Sequence, residues 1–216
     1  MLSSAAFAQE MVAQVQRFCE EHRAKLPAYS YVPCSTDAQR LRVMQSRFFN
    51  EIRAAEVLGA WLKGTPEHEV KAALAEAIHE EFEHAELLAA AMRAHGVDPY
   101  AYQPLPGQVA MFNAFEALSQ TIERMAAFPL AGEGVASFMM EQALAAPGVP
   151  EWIKAPYRQI IEDESEHGNF PAEVIARYAD TVDKQDLVRR AVAMSLMLRR
   201  QYFANLDRWV FAGQYY

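Results

Sequence analysis

The pattern acid-Glu-x-Glu-His occurs twice in this chain, as Glu80-Glu81-Phe82-Glu83-His84 and as Asp163-Glu164-Ser165-Glu166-His167. Both copies lie in long helix-favouring runs. On a helix, Glu81 and His84 stand one turn apart on one face, as do Glu164 and His167. Steps of three and four through Val70, Leu74, Ala77, Glu81, His84, Leu88 and Ala91 keep the first pair on an apolar stripe. Ile153, Tyr157, Ile160, Glu164, His167, Pro171, Val174 and Tyr178 do the same for the second. Such stripes face a core. A lone carboxylate there is costly unless it finds a partner. Two core-facing carboxylate–imidazole pairs on two helices therefore point to two metal ions and to helices bundled around them.

The rest of the chain agrees with an all-α domain. No run of alternating β-branched residues occurs, and no linker divides the 216 residues, so residues 1–216 read as a single domain. Helices are expected at about 4–26, 37–63, 66–95, 107–146, 151–180 and 183–212. Thr36 and its neighbours Ser35 and Asp37 offer caps for the second. Pro129, Gly132 and Gly134 should kink or break the long fourth one. A hydrophobic share of 52% excludes a disordered chain. The net charge of −8, without a basic cluster, argues against a nucleic-acid partner. No stretch of 18 apolar residues offers a membrane span. Ala6-Phe7-Ala8 mimics a signal-cleavage site but lacks the basic and long apolar segments before it, so a cytoplasmic protein is expected. Cys19 and Cys34 form no metal-ligand motif and read as free thiols.

Two metals need more ligands than two Glu-x-x-His pairs supply, and bundles usually provide one further carboxylate from each of two other helices. Antiparallel hairpin geometry locates them. Glu51 lies 13 residues before the Gly64 turn and Glu81 15 beyond Pro66. Glu133 lies 13 before Ala146 and Glu164 14 beyond Pro150. The separations 51–81 and 133–164 are thus nearly equal. Glu51 also shares a stripe with Leu41, Met44, Phe48, Ala55, Leu58 and Leu62. Glu76-x-x-His79 repeats the motif but lies among Glu69, Glu83 and Glu86, a solvated face, and is set aside.

Glu51, Glu81-x-x-His84, Glu133 and Glu164-x-x-His167 resemble the ligand set of ferritin-like di-iron carboxylate proteins over about residues 37–180. The segment Asp163–Phe170 is similar to the corresponding helix of the aldehyde-deformylating oxygenases. The resemblance implies a ferritin-like four-helix bundle with additional N- and C-terminal helices. It places Glu80 and Asp163 in the second shell, where such acids orient ligand histidines. It also implies an external electron donor such as a ferredoxin.

Carboxylates and imidazole suit Fe(II) and Mn(II). Two Fe ions are expected, with manganese or a mixed Mn/Fe pair as the alternative, and O2 as co-substrate. The function expected is a di-iron oxygenase or oxidase acting on a small, partly apolar organic molecule, in a monomer or homodimer. Ferroxidase, iron-handling or peroxide-scavenging activity is the alternative. Small residues near the ligands, Ala55, Ala77, Ser137 and Gly168, would leave room for substrate, and Phe48, Phe82, Met140 and Tyr157 would line it. Tyr157, seven residues before Glu164 on one face, is also placed for a radical role.

Overall fold

In the computed structural model, residues 2–166 and 169–214 are described. Among them there is no strand, and the chain is all-α. The helices are α1 (Ser4–Arg23), α2 (Asp37–Leu62), α3 (His68–Ala94), α4 (Pro106–Glu116), α5 (Thr121–Met125), a π-helical segment (Ala126–Glu133), α6 (Gly134–Ala145), α7 (Glu151–Glu166), α8 (Phe170–Tyr178) and α9 (Val182–Ala212). No helix among them is long and apolar enough to cross a membrane.

Local chemistry explains the boundaries. Thr36 caps α2 with a capping box: its hydroxyl accepts from the Gln39 N–H, and the Gln39 side chain accepts from the Thr36 N–H. The helix ends at Leu62, and the short link through Gly64 and Pro66 turns the chain into α3, making a helical hairpin. The expected fourth helix is divided. It stops at Glu116 and resumes at Thr121. It then widens into π winding, where Pro129 sits. In an α-helix the ring of this proline would press on the Met125 carbonyl; the wider turn relieves that clash.

The expectation of a four-helix core with outer helices added at each end does not describe the packing. α9 is a central element, with Val188, Val192, Tyr202 and Leu206 fully buried, and it packs against α4, the π segment and α1. A buried polar network ties α9 to α2 and α4. The Gln108 amide donates to Asn50 Oδ1 at 2.6 Å and to the Ser46 carbonyl at 2.8 Å, and Ser46 Oγ meets the Tyr202 hydroxyl at 2.7 Å. Because every bond in this network depends on α2's rotation, it also fixes the face on which Glu51 emerges. Cys19 and Cys34 are free and buried, and burial pushes their thiols up to about 11 and about 12, so they are inert.

Candidate metal centre

The α2–α3 hairpin, the π segment and α7 bring their carboxylates to one place. Glu51, Glu81 and His84 each present a ligand atom within 4.8 Å of one another. Glu81, Glu133 and Glu164 form a second such group, so Glu81 belongs to both. Glu51, Glu81 and His84 are 8%, 5% and 1% exposed, and Glu133 and Glu164 are half-buried. The stripes on α2 and α3 are the reason: each places its polar residue where Val, Leu and Ala neighbours drive the face inward.

The hydrogen bonding inside the group is incomplete. Glu81 Oε2 and both ring nitrogens of His84 are buried without a hydrogen-bond partner. His84 Nδ1 lies 4.0 Å from Glu81 Oε2, and Nε2 lies 3.4 Å from Asp163 Oδ2. Buried polar atoms almost always find partners, so three orphans in one cluster need an explanation. Burial and the neighbouring Glu51 and Glu133 carboxylates drive the Glu81 carboxyl well above its usual range. Burial, then Glu164, pushes Glu133 up to about 8, against the pull of the Arg199 guanidinium.

Two cavities flank the cluster. A small one, about 10 Å³ and large enough for about one water, is bordered by Glu51, Glu133, Glu164, Arg47 and Arg199. Arg47 is buried, with its guanidinium 4.2 Å from the Tyr29 ring centre and 4.9 Å from that of Tyr157. Arg199 donates from Nη2 to the Gly132 carbonyl at 3.0 Å. These two cations partly offset the carboxylates, and no sequence stripe announced either of them. Their signal was available: an arginine inside an otherwise apolar face, at Arg47 between Met44 and Phe48 and at Arg199 among Leu196, Leu198 and Tyr202. The second cavity, about 570 Å³, is bordered by Glu81, His84, Glu133 and Glu164.

The residues expected from sequence divide accordingly. Ala77, Ser137 and Glu80 line the large cavity, and Met140 lines the small one. Phe82 does not reach either cavity: it is 47% exposed, because it follows Glu81 on α3 and so faces away from the core. Phe48 packs edge-on against Tyr100 instead of lining a cavity. Ala55 is buried in the core. Tyr157 is buried too, its hydroxyl 2.5 Å from that of Tyr31. Asp163 faces His84 on the other motif helix. His79 is exposed, 3.5 Å from Glu83, as a solvated face requires. His167 and Gly168 lie outside the described residues.

No protein-family model matches the chain, and no curated protein matches it. Solved structures do. A domain of unknown function with a haem oxygenase-like fold from Shewanella denitrificans OS217 superposes with a TM-score of 0.73 at 14% identity, covering 92% of this chain and 90% of that one. A TenA homolog from Pseudomonas syringae pv. tomato DC3000 gives 0.72 at 14% identity, covering 93% and 92%. The fold is therefore similar to the haem oxygenase-like fold.

That finding overturns the ferritin-like resemblance. Nearly the whole chain, α1 and α9 included, follows the other architecture. The physical reason is that Glu-x-x-His reports which face of a helix is buried. It carries no information about how the helices connect, and function-bearing sites recur on unrelated folds.

Proposed function

We propose that this protein is a di-metal, O2-dependent oxygenase or oxidase that acts on a small, partly apolar organic substrate. The observation that carries the reading is the membership of Glu81 in two ligand groups. A carboxylate has two oxygens, and one placed between two sets of donors suits a bridge between two ions. The orphaned Glu81 Oε2 and one of the two orphaned His84 nitrogens fit the same reading, because bound ions would satisfy them. The proposed ligands are Glu51, Glu81, His84, Glu133 and Glu164, with His167 added from the sequence motif. The donor set suits iron or manganese.

When bound, a pair of reduced ions would supply electrons to O2, with an outside donor such as a ferredoxin restoring them. The chain's own residues do the rest. Asp163 sits where it would accept from His84 Nε2 and fix the ring. Arg47 and Arg199 temper the negative charge from the side of the small cavity. Leu58, Leu74 and Phe128 are among the apolar side chains that line the large cavity and would contact the apolar part of a substrate.

The fold's name raises haem, and the residues do not fit it. His84, the histidine at the large cavity, stands among carboxylates, and no lysine or arginine among the described lining residues could meet the propionates. Iron handling is a second reading, favoured by the acidic residues along the cavity, which would suit passing ions.

The experiment is to reconstitute the protein anaerobically with Fe(II), measure metal per chain, then admit O2 and follow its consumption with and without candidate organic substrates. About two ions per chain and substrate-dependent O2 uptake are expected. A folded protein that holds no metal would refute the reading. Rapid O2 uptake that deposits ferric mineral and ignores every organic addition would favour iron handling.

A further inference from the structure

The small cavity is bordered by two buried cations whose donors are only partly used. Arg47 is 1% exposed and Arg199 3%. Among the described residues, Nε and Nη1 of Arg47 and Nε of Arg199 have no hydrogen-bond partner. Buried donors left without an acceptor are costly, and nearly all find one. What holds Arg47 is aromatic: its guanidinium carbon lies 4.2 Å from the Tyr29 ring centre and 4.9 Å from that of Tyr157. Arg199 stands 5.8 Å from the same Tyr29 ring and donates from Nη2 to the Gly132 carbonyl. A ring face attracts a cation without offering its N–H groups a lone pair. The acids at this cavity are Glu51, Glu133 and Glu164, all of them proposed metal ligands.

We propose that the small cavity is an anion site: once the metal ions are bound, it takes one water-sized monoanion, hydrogen-bonded to Arg47 and Arg199. This rests on the reading of the cluster as a di-metal centre. Charge decides the ligand. Two divalent ions would match Glu51, Glu81, Glu133 and Glu164, and His84 ligates as a neutral ring. The carboxylates that face the guanidiniums are then committed to the ions. Asp163 and Glu80 do not replace them, because they stand toward His84 and the large cavity. Two positive charges remain on the walls of a cavity with room for about one water. A water molecule there would accept the hydrogen bonds and leave the charge, whereas a monoanion answers both. The volume of about 10 Å³ excludes organic carboxylates and the larger oxyanions. By reciprocity, such an anion strengthens the binding of the ions as much as they strengthen its own.

The test is titration of the full-length protein with Mn(II), free manganese being read from its electron paramagnetic resonance. The salt is sodium fluoride or sodium perchlorate at one ionic strength, so that screening is equal. Fluoride matches water in size, and perchlorate is too large for the cavity. Manganese should bind about tenfold more tightly in fluoride. Arg47→Met and Arg199→Met should each lose that response. In perchlorate each should bind manganese at least as tightly as the unchanged protein, because one surplus charge is gone. Arg199→Met carries the test alone if Arg47→Met does not fold. Two ions bound with equal affinity in the two salts would overturn the proposal and leave the di-metal reading standing. A fluoride response that persists in the folded variants would overturn it too, since the anion would then sit on the ions alone. If the protein binds no manganese in either salt, the di-metal reading fails, and thermal melting of the metal-free protein decides the rest. A melting temperature raised by fluoride, and no longer raised in Arg199→Met, would keep the anion site; no rise would remove it.

Discussion

The α2–α3 hairpin and the arm from α5 to α7 reach the same carboxylate cluster by different means. The hairpin is built of two unbroken helices, and its proposed ligands Glu51, Glu81 and His84 are buried on regular apolar stripes. The arm is irregular. Glu133 ends a π-helical stretch containing Pro129 and Gly132, and Glu164 lies on α7, which has Pro156 inside it; both are half-buried. The carboxylates of one cluster thus sit on supports of unequal regularity. A regular helix holds a ligand by repeated packing along its length, whereas an irregular one depends on a few particular contacts. The hairpin should therefore behave as the stable half of the site and the arm as the adjustable half.

The sharpest way to break this comparison is to remove one carboxylate from each half. Glu81→Gln should lower the metal content from about two ions per chain toward none, because Glu81 serves both groups. Glu133→Gln should leave about one ion, held by the hairpin. Equal losses in the two variants, measured by elemental analysis of folded protein, would show that the halves are not separable.

A steric change in the arm sharpens it further. A Cβ on Gly132 would stand 3.1 Å from Phe128 Cδ2 and 3.3 Å from Arg199 Nη2. Gly132→Ala should therefore cost about 1–3 kcal/mol in urea unfolding. It should also weaken binding of the second ion while the first stays. Loss of stability with both affinities intact would mean that the π segment does not set the position of Glu133.

The pH dependence of the metal-free protein gives a smaller effect. Glu133 is raised to about 8 from an ordinary value of 4.5, so the folded chain holds its proton where the unfolded chain has released it. Stability is then greatest at low pH and falls as pH rises through this window, levelling off above about 8. The half-buried side chain borders a cavity open to water, which moderates the effect. A fall of a few degrees in melting temperature between about pH 5 and pH 8 is expected, abolished by Mn(II). A melting temperature that climbs over that range would contradict the sign.

The smallest change is reserved for the look-alike motif. His79→Ala should leave metal content unchanged and stability within about 0.5 kcal/mol, because its ring is exposed. Metal loss in this variant would mean that the face of α3 has been misassigned.

Where periodicity is unbroken, the sequence was a good guide to position. The stripes through Glu51 and through Glu81 and His84 placed those residues together, and the boundaries of α2 and α9 agree with the structure to within a residue. Glu133 was reached by matched spacing and by a stripe with Leu130, Ser137, Met140 and Leu144, which the flanking Gly132 and Gly134 weaken. The interruption between Glu116 and Thr121 and the central place of α9 were not readable, because both depend on packing between distant elements. The cavity residues were the least readable. Phe48, Ala55 and Tyr157 are apolar and near the ligands in sequence, yet ordinary core packing absorbs them. Composition cannot tell a core wall from a cavity wall.

The π winding also affects how the chain is compared with others. Each residue of an α-helix turns the chain by about 100°, so the additional residue in a widened turn re-aims everything after it. Glu133 faces the cluster on the far side of such a turn. A protein of the same architecture with an unwidened helix here would present its equivalent carboxylate one position out of step. Position-by-position alignment would then score the pair as a mismatch, although the two oxygens occupy the same place. Ligands in this segment have to be matched in space, with a one-residue gap allowed inside the widened turn.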